Sequence, residues 1–460
     1  MSHLHIVILA AGKGTRMKST LPKVLHQVAG VPMIERVLAS AARLQPQSTT
    51  LVVGHQAENV RTALSRHAGL TFVVQEPQLG TAHALLTTES VLASKRGLVV
   101  LLSGDVPLLT TNTLENLVQT HRQAGAAATV VTAVVEDPHG YGRIVRDGER
   151  IAQIVEEKDA TPAERQIREI NSGIYAFELD GLFDAVRSIA SENAQREYYL
   201  PDLVSIYRRR GLGVETVGVE DAREILGINS RVELAAVSTI VRQTKNTELM
   251  AAGVTIEDPA TTYVDADAQI GADTILHPCV FIERGTVIGA GCEIHSGARI
   301  VASRLGDRVT VLNHTIITDS RLEDGVSAGP FAHIRNDTVV APGAKIGNFV
   351  ELKKTALGRG SKSMHLAYLG DAVIGERVNI GAGTITCNYD GTRKQTTTIE
   401  DGAFIGSDTQ LIAPVTVGAN AYVGTGTTVR ENVPGGALAV SAGKQRNIDG
   451  WVERKRTKKN

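Results

Sequence analysis

Three groups of residues in this 460-residue chain have types and spacing suited to chemistry. The first is the run Leu9-Ala10-Ala11-Gly12-Lys13-Gly14-Thr15-Arg16, followed by Pro22-Lys23. A glycine-rich turn directly after a strand presents backbone N–H groups to phosphate, and basic side chains add positive charge. The run lacks the Walker pattern, and Met17 stands where a dinucleotide fingerprint needs its third glycine. A tight turn without a ligand stays open from these residues alone.

The second group follows two later strands. Gln75-Glu76-Pro77-Gln78-Leu79-Gly80-Thr81 follows one strand and opens a helix, and Asp105 follows the strand that ends near Leu102. Ligands of open α/β sheets bind at the carboxyl ends of the strands. Since Mg²⁺ prefers one or two carboxylates with waters and phosphate oxygens, Asp105 indicates a Mg²⁺ ligand. A helix cap is the alternative reading of Asp105.

The third group lies in the second half of the chain. His365 sits in the stretch Ser361 to Asp371, with Lys353, Tyr368, Asn379 and Asn388-Tyr389 nearby in sequence. Acyl transfer from a thioester to an amine needs a base, and a neutral histidine near pH 7 suits that role. An incidental loop histidine is the alternative. Cys387 lies beside the expected site, but the reaction requires no acyl-cysteine.

The elements that must position these residues differ between the two halves. Residues 1–229 alternate strand and helix patterns, which predicts an α/β domain with a mostly parallel sheet. Residues 230–253 read as one amphipathic linker helix with Ser230 as its N-cap and Gly253 as its stop. The predicted strands are His5–Ala10, Thr50–Val53, Thr71–Val74, Leu98–Leu102 and Thr129–Val135, and the predicted helices are Met33–Leu44, Val60–His67, Ala82–Ala93 and Asn112–Ala124.

Residues 254–440 repeat an aliphatic residue at every sixth position, and residues 441–460 form a tail. A period of six fits neither a helix nor an ordinary strand and is typical of a parallel β-helix. We expect each aliphatic side chain to point into a narrow core and each following glycine to permit a corner. The period loses phase at 353–370 and 386–398, which predicts loops that project from the coil and hold a functional site.

Composition excludes several classes of function. The net charge of −1 and the 4% of aromatic residues are poor matches to nucleic-acid binding. The three cysteines form no disulfide framework, and with no signal peptide or membrane span recognised we expect a cytoplasmic protein. The histidines at 277, 295, 314 and 333 are scattered without short ligand spacing, which argues against zinc. The basic tail reads as a solvated segment.

Two motifs resemble one known family. The run from Leu9 to Arg16 with Pro22-Lys23 resembles sugar-phosphate nucleotidyltransferases, and the run from Val378 to Gly391 resembles an acetyltransferase. Together they resemble the bacterial bifunctional N-acetylglucosamine-1-phosphate uridyltransferases/glucosamine-1-phosphate acetyltransferases, from Leu9 to about Gly443. The resemblance implies an α/β Rossmann-like nucleotidyltransferase domain followed by a left-handed parallel β-helix of hexapeptide repeats. It also implies a homotrimer with sites shared between chains, acting on small molecules and on no nucleic acid or membrane.

For the N-terminal half, the resemblance implies a Mg²⁺-dependent transfer from UTP. Asp105 and Asn229 would hold the metal, while Arg16 and Lys23 would stabilise phosphate charge. Nucleotide and sugar contacts are expected from Leu9, Ala10, Ala11, Gly12, Lys23, Gln75, Gly80, Thr81, Asp105, Gly142, Glu156, Asn171 and Asn229.

For the C-terminal half, the resemblance implies acetyl transfer from acetyl-CoA with His365 as general base. The acetyl acceptor would contact Arg335, Lys353, Tyr368 and Asn379, and acetyl-CoA would contact Ala382, Asn388, Tyr389, Ser407 and Thr425. Ala442 stands where some relatives carry an arginine that binds coenzyme A, and Lys444 or Arg446 would substitute for it. A single-activity nucleotidyltransferase, whose β-helix only assembles or regulates the enzyme, is the alternative.

Overall fold

The computed structural model describes residues 3–441, 443, 445 and 447–457, and the chain divides into two compact units between Val241 and Arg242. Among the described residues, no helix combines the length and the apolar character that a membrane crossing requires. The first unit contains an α/β sheet, and the second contains a coil of short parallel strands. Ala442, Lys444 and Arg446, the predicted coenzyme A segment, lie outside the described residues.

The first unit alternates strands and helices as the sequence predicts. Its strands are β1 Leu4–Ala10, β2 Gln27–Val28, β3 Val31–Pro32, β4 Ser48–Val53, β5 Leu70–Val74, β6 Leu98–Ser103, β7 Ala128–Val134, β8 Arg143–Asp147, β9 Arg150–Val155, β10 Glu169–Glu178 and β11 Val214–Gly218. Its α-helices are α1 Met33–Ala42, α2 Ala57–Ala63, α3 Thr81–Leu86, α4 Glu89–Leu92, α5 Thr111–Ala124, α6 Leu182–Arg187 and α7 Asp202–Arg209. Short 3₁₀ helices span Thr15–Met17, Lys23–Leu25, Glu164–Gln166 and Ala222–Ile225.

The main sheet has the strand order β11-β7-β10-β6-β1-β4-β5. β1 pairs in parallel with β4 and β6, whereas β10 runs antiparallel between β6 and β7. Nearly every residue of β1 and β6 is buried because helices cover both faces of the sheet. The carboxyl ends of β1 and β6 lie side by side, with Leu9 paired to Ser103, so the residues that follow both strands meet at one edge.

Two helix predictions need correction. The predicted helix Ala82–Ala93 is two helices, α3 and α4, which break at Thr87-Thr88. Thr87 Oγ1 donates to Ala84 O and Thr88 Oγ1 donates to Leu85 O, both at 2.7 Å. Threonine side chains that bond the preceding carbonyls compete with the helical backbone, and this favours a break. The predicted helix Val60–His67 begins and ends earlier, at α2 Ala57–Ala63.

Helix α8 spans Arg231–Ala251 and includes the boundary between the two units. Ser230 Oγ accepts from Glu233 N at 3.3 Å, and Glu233 Oε2 accepts from Ser230 N at 2.9 Å. This reciprocal pair is a capping box, so Ser230 is the N-cap that the sequence predicts. A further helix, α9 Trp451–Thr457, lies in the tail.

The second unit is a three-sided coil, and each side is a parallel sheet of short strands. Face one contains Thr255–Ile256, Ile275–Leu276, Glu293–Ile294, Thr310–Val311, Ser327–Ala328, Lys345–Asn348, Lys362–His365, Asn379–Ile380, Phe404–Ile405, Tyr422–Val423 and Leu438–Ala439. Face two contains Tyr263–Val264, Phe281–Ile282, Arg299–Val301, Ile316–Thr318, His333–Arg335, Glu351–Lys353, Tyr368–Gly370, Ile385–Cys387, Gln410–Ile412 and Thr428–Val429. Face three contains Gln269–Ile270, Val287–Ile288, Arg304–Leu305, Ser320–Leu322, Thr338–Val340, Ala356–Leu357, Ala372–Ile374, Thr397–Ile399 and Val415–Val417.

The aliphatic residues of the repeat stack into a continuous buried core, as predicted. The glycines that follow these aliphatic residues were expected to permit the corners, and this expectation is wrong at several positions. Gly271 is not in the left-handed region, and a Cβ there would lie 2.7 Å from the backbone nitrogen of Ala290 on the next coil. Non-glycine residues such as Asp273 (φ 60°) and Phe349 (φ 57°) adopt the left-handed conformation instead. These glycines are therefore needed because the coils approach closely, and the corners rest on other residues.

The first phase break is not a projecting loop. Residues 353–370 continue the coil, and Leu352 pairs with Leu369, seventeen positions on, whereas Ile334 pairs with Leu352 after eighteen. A corner one residue shorter shifts the phase without interrupting the sheets. The second break is a true insertion: Thr386 pairs with Leu411, and a small hairpin with a Tyr389–Lys394 bridge lies between them.

Candidate functional site

The predicted phosphate-binding residues meet at the carboxyl edge of the first sheet. A cavity of about 440 Å³ is lined by Leu9, Ala10, Ala11, Gly12, Lys13, Lys23, Val24, Gln75, Gln78, Gly80, Thr81, Ala84, Ser103, Asp105 and Glu197. Nine of the predicted nucleotide and sugar contacts line this cavity, and Asn229 is joined to it by its hydrogen bond with Lys23. Arg16 is exposed on the turn Thr15–Met17 and is not part of that wall.

Gly14 explains how the glycine-rich run comes close to Lys23. Its backbone is left-handed, with φ 59°, and a Cβ at this position would lie 2.8 Å from the Cβ of Lys23. Any other residue would be strained in conformation and would push the Lys23 side chain away. Gly14 therefore sets the position of the lysine relative to the cavity.

Lys23 joins the two predicted metal ligands. Its ammonium group is hydrogen-bonded to the Asp105 carboxylate and donates to Asn229 Oδ1 at 3.0 Å. Ile228 N also donates to Asp105 O at 3.0 Å, which fixes the segment before Asn229. One carboxylate oxygen and one amide oxygen therefore converge on a single cation, and these are ligand types that Mg²⁺ accepts.

Gln75 is almost completely buried beside Gly80 and Thr81, the residues with which it is predicted to contact the nucleotide. Its Nε2 donates to Gly80 O at 3.0 Å and lies 3.2 Å from His83 Nδ1. Thr81 Oγ1 accepts from Leu200 N at 3.1 Å, so this wall of the cavity is held by the chain near residue 200. These bonds make the Gln75 side of the cavity a fixed surface.

The predicted sugar contacts form a second group next to the cavity. Asn171 N donates to Gly142 O at 2.9 Å, and a Cβ on Gly142 would lie 3.3 Å from Glu156 Oε1. Burial, followed by the charge of Asp159, raises the pKa of Glu156. The negative charge of Glu197, which lines the cavity, also raises the pKa of Glu156. Glu197 therefore links the cavity with the group of predicted sugar contacts. No local pattern in the sequence singles out Glu197 or Gln78.

In the coil, the predicted acceptor-binding residues divide between two corners. Arg335 pairs in register with Lys353 at the end of face two, and Arg335 donates to Glu351 Oε1 at 2.6 and 2.9 Å. Lys353 Nζ lies 3.7 Å from Asp371 Oδ2, and the Asn388 side-chain amide donates to the same oxygen. This corner is cationic and includes Arg335, Lys353 and Asn388.

Lys394 adds a cation that the sequence analysis did not single out. The neighbouring ammonium of Lys353 lowers the pKa of Lys394, while Asp371 and Tyr368 act in the opposite direction. Two lysines so close together repel each other in the free protein, so a bound dianion would relieve the repulsion. Lys394 lies on the inserted hairpin with Tyr389, which is exposed.

His365 lies at the corner between faces one and two. Its ring is exposed, and Nδ1 donates to Asn348 Oδ1 at 2.8 Å, which leaves the lone pair on Nε2. Three of the predicted acetyl-CoA residues occupy the corresponding corner on successive coils, and we call this series of corner residues a column. Backbone hydrogen bonds join the coils there: Asp408 N donates to Ala382 O at 2.7 Å, and Gly426 N donates to Ser407 O at 2.8 Å. The column therefore runs from His365 through Ala382 and Ser407 to Thr425, and Asn379 lies on face one beside it.

The expectation that the coil histidines have no metal-ligand grouping is wrong. Residues eighteen apart stack on successive coils, so His277 and His295 lie ring to ring at 4.5 Å. Glu293 joins them, and the ligand atoms of all three residues lie within 4.8 Å of one another. Short spacing in the sequence is not needed where a coil brings distant positions together.

Comparison with known proteins identifies the family. Residues 6–170 match the MobA-like NTP transferase domain, and residues 396–431 match the bacterial transferase hexapeptide with six repeats. "Bifunctional protein GlmU" of Pelobacter propionicus is 49% identical over 459 residues, covering 100% of both chains. GlmU of Heliobacterium modesticaldum is 49% identical, with 98% of each chain covered, and GlmU of Shouchella clausii is 46% identical over 99% of this chain and 100% of the relative.

This chain belongs to the GlmU family. Membership confirms the predicted bifunctional enzyme, a uridyltransferase and acetyltransferase of UDP-N-acetylglucosamine synthesis with a role in cell-wall formation. It also confirms the predicted fold, a Rossmann-like nucleotidyltransferase domain followed by a left-handed parallel β-helix.

Proposed function

We propose that the coil first transfers acetyl from acetyl-CoA to glucosamine-1-phosphate, and that the α/β unit then transfers uridylyl from UTP to N-acetylglucosamine-1-phosphate. The observation that supports two reactions is the Asn348–His365 bond together with the cationic corner of Arg335, Lys353 and Lys394. A coil that only assembles the protein would need neither. Because both reactions consume cytoplasmic nucleotides and thioesters, we assign the protein to the cytoplasm.

Uridylyl transfer proceeds by in-line attack of the sugar phosphate oxygen on the α-phosphorus of UTP, and pyrophosphate leaves. Lys23, in the cavity wall, offsets the charge that develops on the phosphate oxygens, and Arg16 closes on the triphosphate from its exposed turn. Gln75, Gly80 and Thr81 bind the uracil. The sugar lies against Gly142, Glu156 and Asn171.

Asp105 and Asn229 are the residues that would hold Mg²⁺. Their side-chain oxygens fit this ion because both already contact the ammonium of Lys23, so they reach a common point. Bound Mg²⁺ would neutralise negative charge on the phosphates. Lys23 is then free to turn from these oxygens towards the nucleotide.

Acetyl transfer uses the two corners of the coil. Arg335, Lys353 and Lys394 bind the phosphate dianion of glucosamine-1-phosphate, with Tyr368 and Asn379 as further contacts. His365 Nε2 takes one proton from the substrate ammonium, and the free amine attacks the thioester carbonyl. The nitrogen then loses a second proton to the coenzyme A sulfur as the C–S bond breaks, so that the amide and the free thiol are formed. Asn388 and Tyr389 lie at the reacting centre, and the column Ala382, Ser407 and Thr425 lines the acetyl-CoA channel.

A homotrimer completes this site. Leu366, next to the histidine, and Asp371, at the cationic corner, are five residues apart along face two, which is about 16 Å in extended backbone. One small sugar phosphate does not span that distance to meet both corners of one chain. Packing three chains about a three-fold axis places the His365 column of one chain against the cationic corner of its neighbour.

Complementation between inactive chains tests the proposal. His365→Ala and Lys353→Ala chains are co-expressed with different tags, mixed trimers are purified, and release of free thiol from acetyl-CoA is followed. We expect each pure variant to be nearly inactive and the mixed trimers to recover part of the activity. The matched control is a trimer purified in the same way from two differently tagged His365→Ala chains. Uridylyl transfer is measured on every sample to check folding. Mixed trimers without recovery would contradict shared sites, and a monomeric active enzyme would contradict the trimer.

A further inference from the structure

A cluster of histidine and glutamate side chains lies on face one, on coils that precede those of the proposed acetyl-transfer residues. Leu276 pairs in register with Ile294, so the following residues, His277 and His295, stand side by side on adjacent coils. Ile294 is fully buried, and alternation along the strand places Glu293 and His295 on the outer surface. Three side chains with metal-ligating atoms therefore share one patch of the coil.

Two of the separations within the cluster are close to those around a small tetrahedral ion, and all three ligand atoms lie within 4.8 Å of one another. Glu293 Oε1 lies 3.2 Å from His277 Nε2 and 3.3 Å from His295 Nε2. Zinc binds imidazole nitrogen and carboxylate oxygen at about 2.0–2.1 Å, so two tetrahedral ligands lie about 3.3–3.4 Å apart. Both nitrogen–oxygen separations are close to that value.

A carboxylate outside the cluster orients one ligand. Glu257 Oε2 lies 2.9 Å from His277 Nδ1, where it accepts the ring N–H, because Glu257 follows the strand Thr255–Ile256 and occupies the same column. His277 Nε2 then faces Glu293 Oε1 at 3.2 Å, and a cation bound between these two atoms would take the place of the hydrogen bond that joins them. The same arrangement of carboxylate, histidine and metal is common at zinc sites and raises the basicity of the ligand.

We propose that His277, Glu293 and His295 bind one Zn²⁺ per chain, with water in the fourth position and Glu257 orienting His277. The two imidazoles distinguish this site from the oxygen ligands of Asp105 and Asn229, which suit Mg²⁺. The ion links two successive coils, since His277 comes from one strand of face one and the other two ligands from the next. Its role is to fix the amino-terminal coils, and it takes no part in either transfer reaction.

Zinc titration of the full-length protein tests the site. Protein treated with chelator and returned to buffer with excess Mg²⁺ is titrated with Zn²⁺ in a calorimeter. We expect one zinc per chain for the wild type, at least a tenfold weaker affinity for His295→Gln, and a loss of about 10- to 100-fold for Glu257→Gln. The control is His314→Asn, which removes a coil histidine that stacks on Phe331 and keeps a residue that tolerates its left-handed backbone.

Cobalt(II) provides a second measurement with the same chains. Tetrahedral cobalt bound through two imidazoles absorbs visible light strongly, and the signal should appear in the wild type and in His314→Asn but not in His295→Gln. Circular dichroism and uridylyl transfer confirm folding, and Glu293→Gln replaces any variant that fails to fold. The proposal is overturned if the wild type binds no zinc, or if the folded site variants bind it as the wild type does.

Discussion

Asn348 accepts a hydrogen bond from His365 at 2.8 Å, and the two residues are register partners on adjacent coils. The bond holds the proton on Nδ1 and leaves Nε2 able to accept another. Asn348 is therefore a positioning residue for the proposed base. It is supplied by the coil beneath, so the geometry of the parallel sheet, and not a flexible loop, aims the histidine.

Replacing Asn348 by Ala should lower the kcat of acetyl transfer about tenfold or more, which is part of the contribution of a general base. KM for acetyl-CoA should change little because the column Ala382, Ser407 and Thr425 is untouched. Asn348→Asp keeps an acceptor and should restore most of the rate, with a shifted pH profile. The measurement is the pH dependence of thiol release, and an unchanged profile for Asn348→Ala would exclude the positioning role.

Removing the ammonium group of Lys394 should weaken acceptor binding. Because the substitution would remove a charge-assisted hydrogen bond to the phosphate, Lys394→Ala should raise KM for glucosamine-1-phosphate roughly tenfold. The kcat should change less than KM because, in the proposed binding mode, Lys394 contacts the phosphate and not the amine. Initial rates at varied acceptor concentration provide the measurement. Arg377→Ala, an exposed coil cation paired with Glu376, is the control and should behave as the wild type.

Asp105→Ala should abolish uridylyl transfer and leave acetyl transfer intact. The substitution removes a proposed metal ligand and also the partner of the Lys23 ammonium, whereas the coil keeps its own residues. Pyrophosphate release and thiol release are measured on the same sample. Asp180→Ala, which removes an exposed carboxylate beyond the opposite edge of the sheet, should keep both activities. Loss of both activities in a folded Asp105→Ala protein would refute two independent sites.

The first unit should lose stability in mild acid because of His121. Burial and the charge of Arg122 lower the pKa of this histidine from 6.5 to about 4, and its Nδ1 bonds Thr129 Oγ1 at 3.0 Å. The folded state favours the neutral form of His121. The contribution of this histidine to the free energy of unfolding is therefore fully present above pH 6.5 and is lost as pH falls towards 4. The full loss is about 3 kcal/mol.

Denaturant unfolding at pH 7 and pH 5 should therefore give a larger decrease for the wild type than for His121→Asn. Comparing the variant with the wild type separates the effect of His121 from that of His5 and His26, because burial also lowers the pKa values of these two histidines. Equal decreases in both proteins would show that His121 does not titrate as described.

The sequence predicted the class of each unit because both patterns are dictated by local burial. The aliphatic ladder of the coil and the strand–helix alternation of the α/β unit follow from which side chains face the core. The strand end at Asp105 and the glycine-rich run were also recognisable, because parallel strands align their carboxyl ends. Their convergence with Asn229, more than a hundred residues away, follows from the resemblance alone.

What the sequence did not reveal depends on stacking between coils. A corner shortened by one residue looks like a loop in a period-six pattern, so residues 353–370 were wrongly predicted to project. Asn348, Asp371 and the triad around His277 each act on a residue about seventeen or eighteen positions away. That distance equals one coil, and it becomes visible only when the register of the strands is known.

The variable length of the coil bears on how such a protein accommodates insertions and deletions. In an isolated strand, losing one residue turns every following side chain to the other face. Here Leu352 and Leu369 remain partners across a coil of seventeen, as Ile334 and Leu352 do across eighteen. The corner absorbs the difference, so we expect the loss of one residue at such a corner to leave the core pairing intact. Even the larger hairpin near Tyr389 enters without disturbing the pairing of Thr386 with Leu411.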